Sequence, residues 1–132
     1  MADTTPINPW TWQDRLGFSQ AIEVRGGHRV IYCAGQVSMD RNGNPLYPRD
    51  MGKQINQAFD NLETVLRTVG LTLANVVRLT YYTTDMLALG NAASAYAPRL
   101  AAAGCKPAAT ALGIHSLFHP DLIIEIEATA IS

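Results

Sequence analysis

The period of the hydrophobic residues changes several times along the chain, and each change marks an element. Residues 1–15 hold Pro6, Pro9, Trp10 and Trp12 with no clear period, an ordered but irregular arm. Residues 18–24 alternate loosely through Phe18, Ile22 and Val24, with Ala21 out of step, and predict a strand. Arg25-Gly26-Gly27-His28 supplies the paired glycines of a tight hairpin turn. The return strand, residues 29–38, is apolar on both faces and so needs cover on both sides. The helices of so short a chain can cover one face. A second subunit is expected on the other.

Asp40-Arg41-Asn42-Gly43-Asn44-Pro45 has the chemistry of a loop. A helix starts near Asp50, with Met51, Ile55, Ala58, Phe59, Leu62, Val65, Leu66 and Val69 at three- and four-residue steps. Gly70 is placed to end it in a left-handed cap. Residues 76–84 form a β-branched and aromatic strand, and Asp85 can cap a helix after it. Residues 86–103 are rich in Ala and Leu and predict a helix that starts late or kinks at Pro98 and ends at Gly104. Pro107 opens a strand to about Ile114, and Asp121 begins the last one.

That last strand alternates cleanly. Leu122, Ile124, Ile126, Ala128 and Ala130 face one way; Ile123, Glu125, Glu127, Thr129 and Ile131 face the other. Glu125 and Glu127 thus project from one sheet face, roughly 7 Å apart. The order ββαβαββ is an α+β pattern: one mixed sheet with two helices on one face.

Composition adds assembly and exclusions. A length of 132 residues suits a single domain over 1–132. Hydrophobic residues make up 48% and charged residues 16%, below the roughly 25% usual in soluble domains. More surface is hidden than a small domain covers, which again points to an oligomer. A net charge of -1 leaves no basic excess for phosphates, so no nucleic acid partner is expected. No stretch approaches the ~20 apolar residues of a membrane span, and the polar start lacks the apolar core of a signal peptide. Cys33 and Cys105 form no disulfide framework and read as buried small hydrophobes in a reducing cytoplasm.

Standard catalytic motifs (GxGxxG, P-loop, HExxH, GxSxG) are absent. His115 and His119 are four apart, but on a strand end and loop with no third ligand, so no metal is expected. Tyr81 and Tyr82 read as packing. Glu125 and Glu127 read differently, because acids on a covered face each need a partner or a job. Glu125, nearer the sheet interior, is the candidate for holding a water or acting as general acid and base.

Several segments, in order, resemble the RidA (YjgF) family. Leu16-Gly17-Phe18-Ser19-Gln20-Ala21 looks like its Gly-Pro-Tyr-Ser-Gln-Ala, and Ala34-Gly35-Gln36 like its Ser-Gly-Gln. Gln57-Ala58-Phe59-Asp60-Asn61-Leu62, Pro107-Ala108-Ala109-Thr110 and Ile124-Glu125-Ile126-Glu127-Ala128 match in turn. The resemblance implies a chorismate-mutase-like fold assembled as a homotrimer with small-molecule clefts between subunits. It also implies hydrolysis of an enamine or imine to ammonia and a 2-oxo acid, without cofactor or metal.

The departures matter as much. Where the family clamps the substrate carboxylate with Arg, this chain has Ala109, and alanine cannot imitate the bidentate fork. The family's Tyr is Phe18, its Ser is Ala34, and its Asn aligns with Ala93, with Asn91 close by. Gly35, Glu125 and the backbone of Ala109, Thr110 and Ala111 are retained. The resulting site is more apolar, with Trp10 or Trp12 as further walls and Arg78 or Arg99 as candidate replacement clamps.

The leading expectation is a divergent enzyme of this family in which Glu125 and a water hydrolyse or tautomerise an enamine, imine or enol-like metabolite other than the simple 2-imino acids. The alternative is a non-catalytic trimer that binds a small molecule or a protein. A Glu125 facing an open cleft favours the first, and a Glu125 neutralised by an Arg favours the second. A third reading, ribonuclease activity, fits poorly with the charge.

Overall fold

A computed structural model describes residues 2–27 and 29–132; Met1 and His28, the last residue of the expected hairpin turn, lie outside the described residues. Among the described residues, six strands and three α-helices succeed one another as β1 (Asp3–Ile7), β2 (Ala21–Arg25), β3 (Val30–Val37), α1 (Met51–Arg67), β4 (Val76–Thr83), α2 (Met86–Asn91), α3 (Ala93–Ala102), β5 (Ala108–Gly113) and β6 (Ile124–Ile131). The four-stranded sheet has the order β3-β6-β4-β5, antiparallel except for the parallel pair β4–β5. It is the mixed sheet of the expected α+β fold.

The start of the chain differs from expectation. The arm contains β1, which pairs antiparallel with β2 in a separate two-stranded ribbon, whereas β3 pairs with β6. All five β1 residues are exposed, so the strand has no buried face to impose an alternating pattern.

Local chemistry sets the helix ends. The Asp50 side chain accepts from the Lys53 amide at 3.1 Å, and the Asp85 side chain accepts from the Ala88 amide at 3.0 Å. After α1 the chain turns through Gly70 at φ 75°, which lets the Leu71 amide reach the Leu66 carbonyl at 2.9 Å. The expected second helix is two. Its break falls at Ala92, behind the weak helix formers Gly90 and Asn91, and Pro98 sits inside α3.

α1 buries Ile55, Ala58, Phe59, Leu62 and Leu66 completely, against β3 and β6. Ile124, Ile126, Ala128 and Ala130 of β6 meet it, and Glu125, Glu127, Thr129 and Ile131 face away, as the alternation predicts. Arg99 ties α3 to α1: it donates to the Asn56 carbonyl at 3.0 Å, pairs with Asp60 at 2.6 Å and also with Glu63, and lies over the Phe59 ring. Both cysteines are buried and free, and burial pushes the Cys105 thiol up to about 12.

One buried polar side chain joins the layers. Gln54, fully buried on the first turns of α1, donates to the Tyr47 carbonyl at 2.9 Å and to the Asp121 carbonyl at 2.7 Å. Its own carbonyl accepts from the Ile123 amide at 3.0 Å, one residue before β6. Gln54→Leu would leave these backbone groups without that partner, and should cost about 3 kcal/mol or more in urea unfolding. A loss under about 1 kcal/mol would show that the loops satisfy themselves.

Candidate functional site

The residues singled out in the sequence fall into two groups on one chain. Phe18, Ala93, Ala109, Thr110 and Ala111 line a cavity of about 440 Å³ beneath α2 and α3. Ser19 holds the Phe18 segment there: its amide donates to the Pro107 carbonyl at 2.9 Å and its hydroxyl to the Lys106 carbonyl at 2.6 Å. Leu89, Tyr81 and Tyr96 add to the wall, and Arg15 stands on it. Leu89, Ala93, Tyr96 and Ala97 recur at helical spacing, a pattern that by itself signals only core.

Ala34, Gly35 and Glu125 form the second group. Gly35 comes two residues after Cys33 at the irregular step in the β3–β6 ladder, and a Cβ on Gly35 would collide with the Glu125 carboxyl group. With glycine there, the Glu125 carboxyl rests against bare backbone, and any larger residue would have to displace it. Glu125 is half-buried and makes no ion pair among the described residues. Burial first, and then the charge of Glu127, push its carboxyl above the ordinary value. Glu127 accepts from the Tyr82 hydroxyl at 2.6 Å.

Ala109 and Glu125 lie on strands that are not neighbours and on opposite faces of the sheet. β4 lies between β5 and β6, and Ala109 pairs with Leu79, which pairs with Ala128 on the helix-covered face. Glu125 pairs with Tyr82 on the opposite face. The pattern within each strand gives the face of a residue but not the order of strands.

Neither candidate replacement clamp reaches the cavity. Arg99 is spent on Asp60 and Glu63, and Arg78 donates to Thr110 Oγ1 at 2.8 Å across the open face. That open face is a hollow bordered by Tyr32, Arg78, Tyr82 and Glu127, with Tyr32 82% exposed and Val30 48% exposed. Trp12 meets Phe18 edge to face at 5.8 Å without lining the cavity, and Trp10 is exposed. The His119 ring nitrogen accepts from the Asp121 amide at 3.1 Å, which closes the turn before β6.

Comparison with known proteins agrees with this frame. The family model described as endoribonuclease L-PSP matches residues 13–132. A 2-iminobutanoate/2-iminopropanoate deaminase from Mus musculus is 32% identical over 114 residues, 86% of this chain and 80% of that protein. A RutC family protein from Pyrococcus horikoshii is 30% identical over 113 residues, 86% of this chain and 85% of its own length. Among solved structures, a protein of the conserved Rid family from Yersinia pestis superposes with a TM-score of 0.84 at 37% identity, covering 98% of both chains. The YjgF gene product of E. coli shares the fold, with a TM-score of 0.69 at 24% identity over 86% of this chain and 87% of that one.

The raised carboxyl of Glu125 has a consequence for stability. Its folded pKa lies above the unfolded value, so the stability it contributes is present at low pH and is lost as pH rises through the folded pKa. Glu125→Gln should therefore raise the urea midpoint at pH 7, and the gain should vanish below about pH 4, where the carboxyl is protonated in both states. A lower midpoint at pH 7 would mean that the charged form is stabilised.

Proposed function

Because this chain belongs to the endoribonuclease L-PSP family, the RidA or YjgF family that its sequence resembles, we propose that it is a cofactor-independent hydrolase of small enamines or imines. The single observation that carries this reading is Glu125: half-buried, with its carboxyl raised, unpaired among the described residues, and facing the open side of the sheet. An acid meant only to stabilise the sheet would be expected beside a cation.

In the proposed reaction water adds to the carbon of a C=N bond while Glu125 accepts its proton. Glu125 delivers that proton to the nitrogen to complete the carbinolamine, then takes the hydroxyl proton as the C=O bond forms and passes it to the departing nitrogen, so that the C–N bond breaks and ammonia leaves a carbonyl product. The raised carboxyl holds a proton more readily than an ordinary carboxylate, which suits a group that must both take and give one.

The working cleft is proposed to lie between copies in a homotrimer. Support comes from the exposed Tyr32 and Val30, on the same open sheet face as Glu125 and farther along β3, and from the separation of the Glu125 half from the Ala109 half by one intervening strand. A neighbouring copy can present one half to the other. Two buried free thiols suit a reducing cytoplasm. A net charge of -1 argues against nucleic acid as substrate, and among the described residues no helix is long and apolar enough to cross a membrane.

Light scattering should give three times the 14.3 kDa mass of the chain, and a monomer would remove the shared cleft. With imines generated in situ from amino acids, Glu125→Gln should lower ammonia release at least about 100-fold. Ala109→Arg should raise turnover of the smallest 2-imino acids by restoring a clamp inside the cavity. Wild-type turnover that survives Glu125→Gln would sink the mechanism.

A further inference from the structure

Resting on the reading that the cavity beneath Phe18 takes the substrate, we propose that Arg15 is its anion anchor. The ligand it selects is a carboxylate carried on a bulky apolar body, aromatic or branched.

Arg15 is the only charged side chain among the described residues of the cavity wall. No ion pair engages its guanidinium among the described residues. Neither arginine weighed as a replacement clamp is on that wall: Arg99 is paired with Asp60 and Glu63, and Arg78 donates to Thr110 from the open face. A cation free at the rim of an apolar hole is the feature a carboxylate would find.

The position of Arg15 is fixed from both sides. It lies in the 3₁₀ turn Asp14–Leu16, closed by Gly17 at φ 74° and by the Leu16 amide on the Gln13 carbonyl at 2.9 Å. Gln13 is fully buried, donating to the Trp10 carbonyl at 2.8 Å and accepting from Gln20 at 3.3 Å. Ser19 pins the other end to the start of β5. A turn held this way fixes the backbone from which the cation projects, so that only the side chain is left to order on binding.

The interior sets the rest of the ligand. Phe18, Leu89, Ala93 and Ala109 offer apolar surface, and a volume of about 440 Å³ falls within the roughly 300–1,000 Å³ of pockets that enclose larger small molecules. The smallest imino acids would leave most of it unfilled. A second charge inside would be desolvated without a partner, so the carboxylate stays at the rim and the apolar body goes in.

A non-reacting probe separates this proposal from the deaminase reading. By calorimetry, 3-phenylpropanoate should bind at least about tenfold more tightly than 3-phenylpropanamide or acetate, and more tightly still at low salt. Arg15→Met, which keeps the stem, should erase the preference over the amide, whereas Arg15→Lys should keep part of it. Ala109→Phe, which fills the cavity, should weaken acid and amide alike. Acetate binding as well as the phenyl acid, a preference that survives Arg15→Met, or indifference to Ala109→Phe would overturn the proposal. If the probe binds as expected and no imine is hydrolysed, the deamination fails and the anchor stands.

Discussion

The three hydrogen bonds of the Gln54 amide hold the rest of the molecule in register. Gln54 joins the first turns of α1 to the loop at Tyr47 and to the backbone just before β6. β6 is a central strand, flanked by β3 and β4. A slip of one residue in it would turn Glu125 and Glu127 into the core and Ile124 and Ile126 out of it. A buried amide with every hydrogen bond made is therefore as much a device for register as for stability.

From that register comes the inequality of two neighbouring carboxylates. Glu127 has a donor in Tyr82, and Glu125 has the bare backbone of Gly35 against its side chain and, among the described residues, no cation. One acid is settled, and the other keeps an unmet demand for a proton or a water. The other sheet face is handled differently: the helices cover it, and the opening toward β5 is walled by aromatic and aliphatic groups. A polar group and an apolar cavity are thus built on opposite sides of one sheet.

Much of this was legible in the sequence, where the signal is local. The stripe on α1, the caps at Asp50, Gly70 and Asp85, and the alternation of β6 depend on neighbours a few residues away. β1 was not legible, because a strand exposed along its whole length carries no alternation. The break at Ala92 was hidden behind the more conspicuous Pro98. The geometry of the candidate site was not legible: Gly35 and Glu125 do meet, but Ala109 stands across an intervening strand that spacing along the chain could not reveal. Arg15 gives no signal at all, because nothing in its neighbours in sequence announces a cavity.

The sheet order also governs the sequence of events in folding. β3 and β4 both pair with β6, and β6 comes after every other element in the chain. During synthesis, β3 and β4 wait for the strand that joins them, and α1 lacks part of the surface it will rest on. Contacts of such long sequence separation form late and slowly, so the nascent chain exposes apolar surface on Cys33 and Leu79 until the last strand arrives. The molecule closes from the centre, and it closes last.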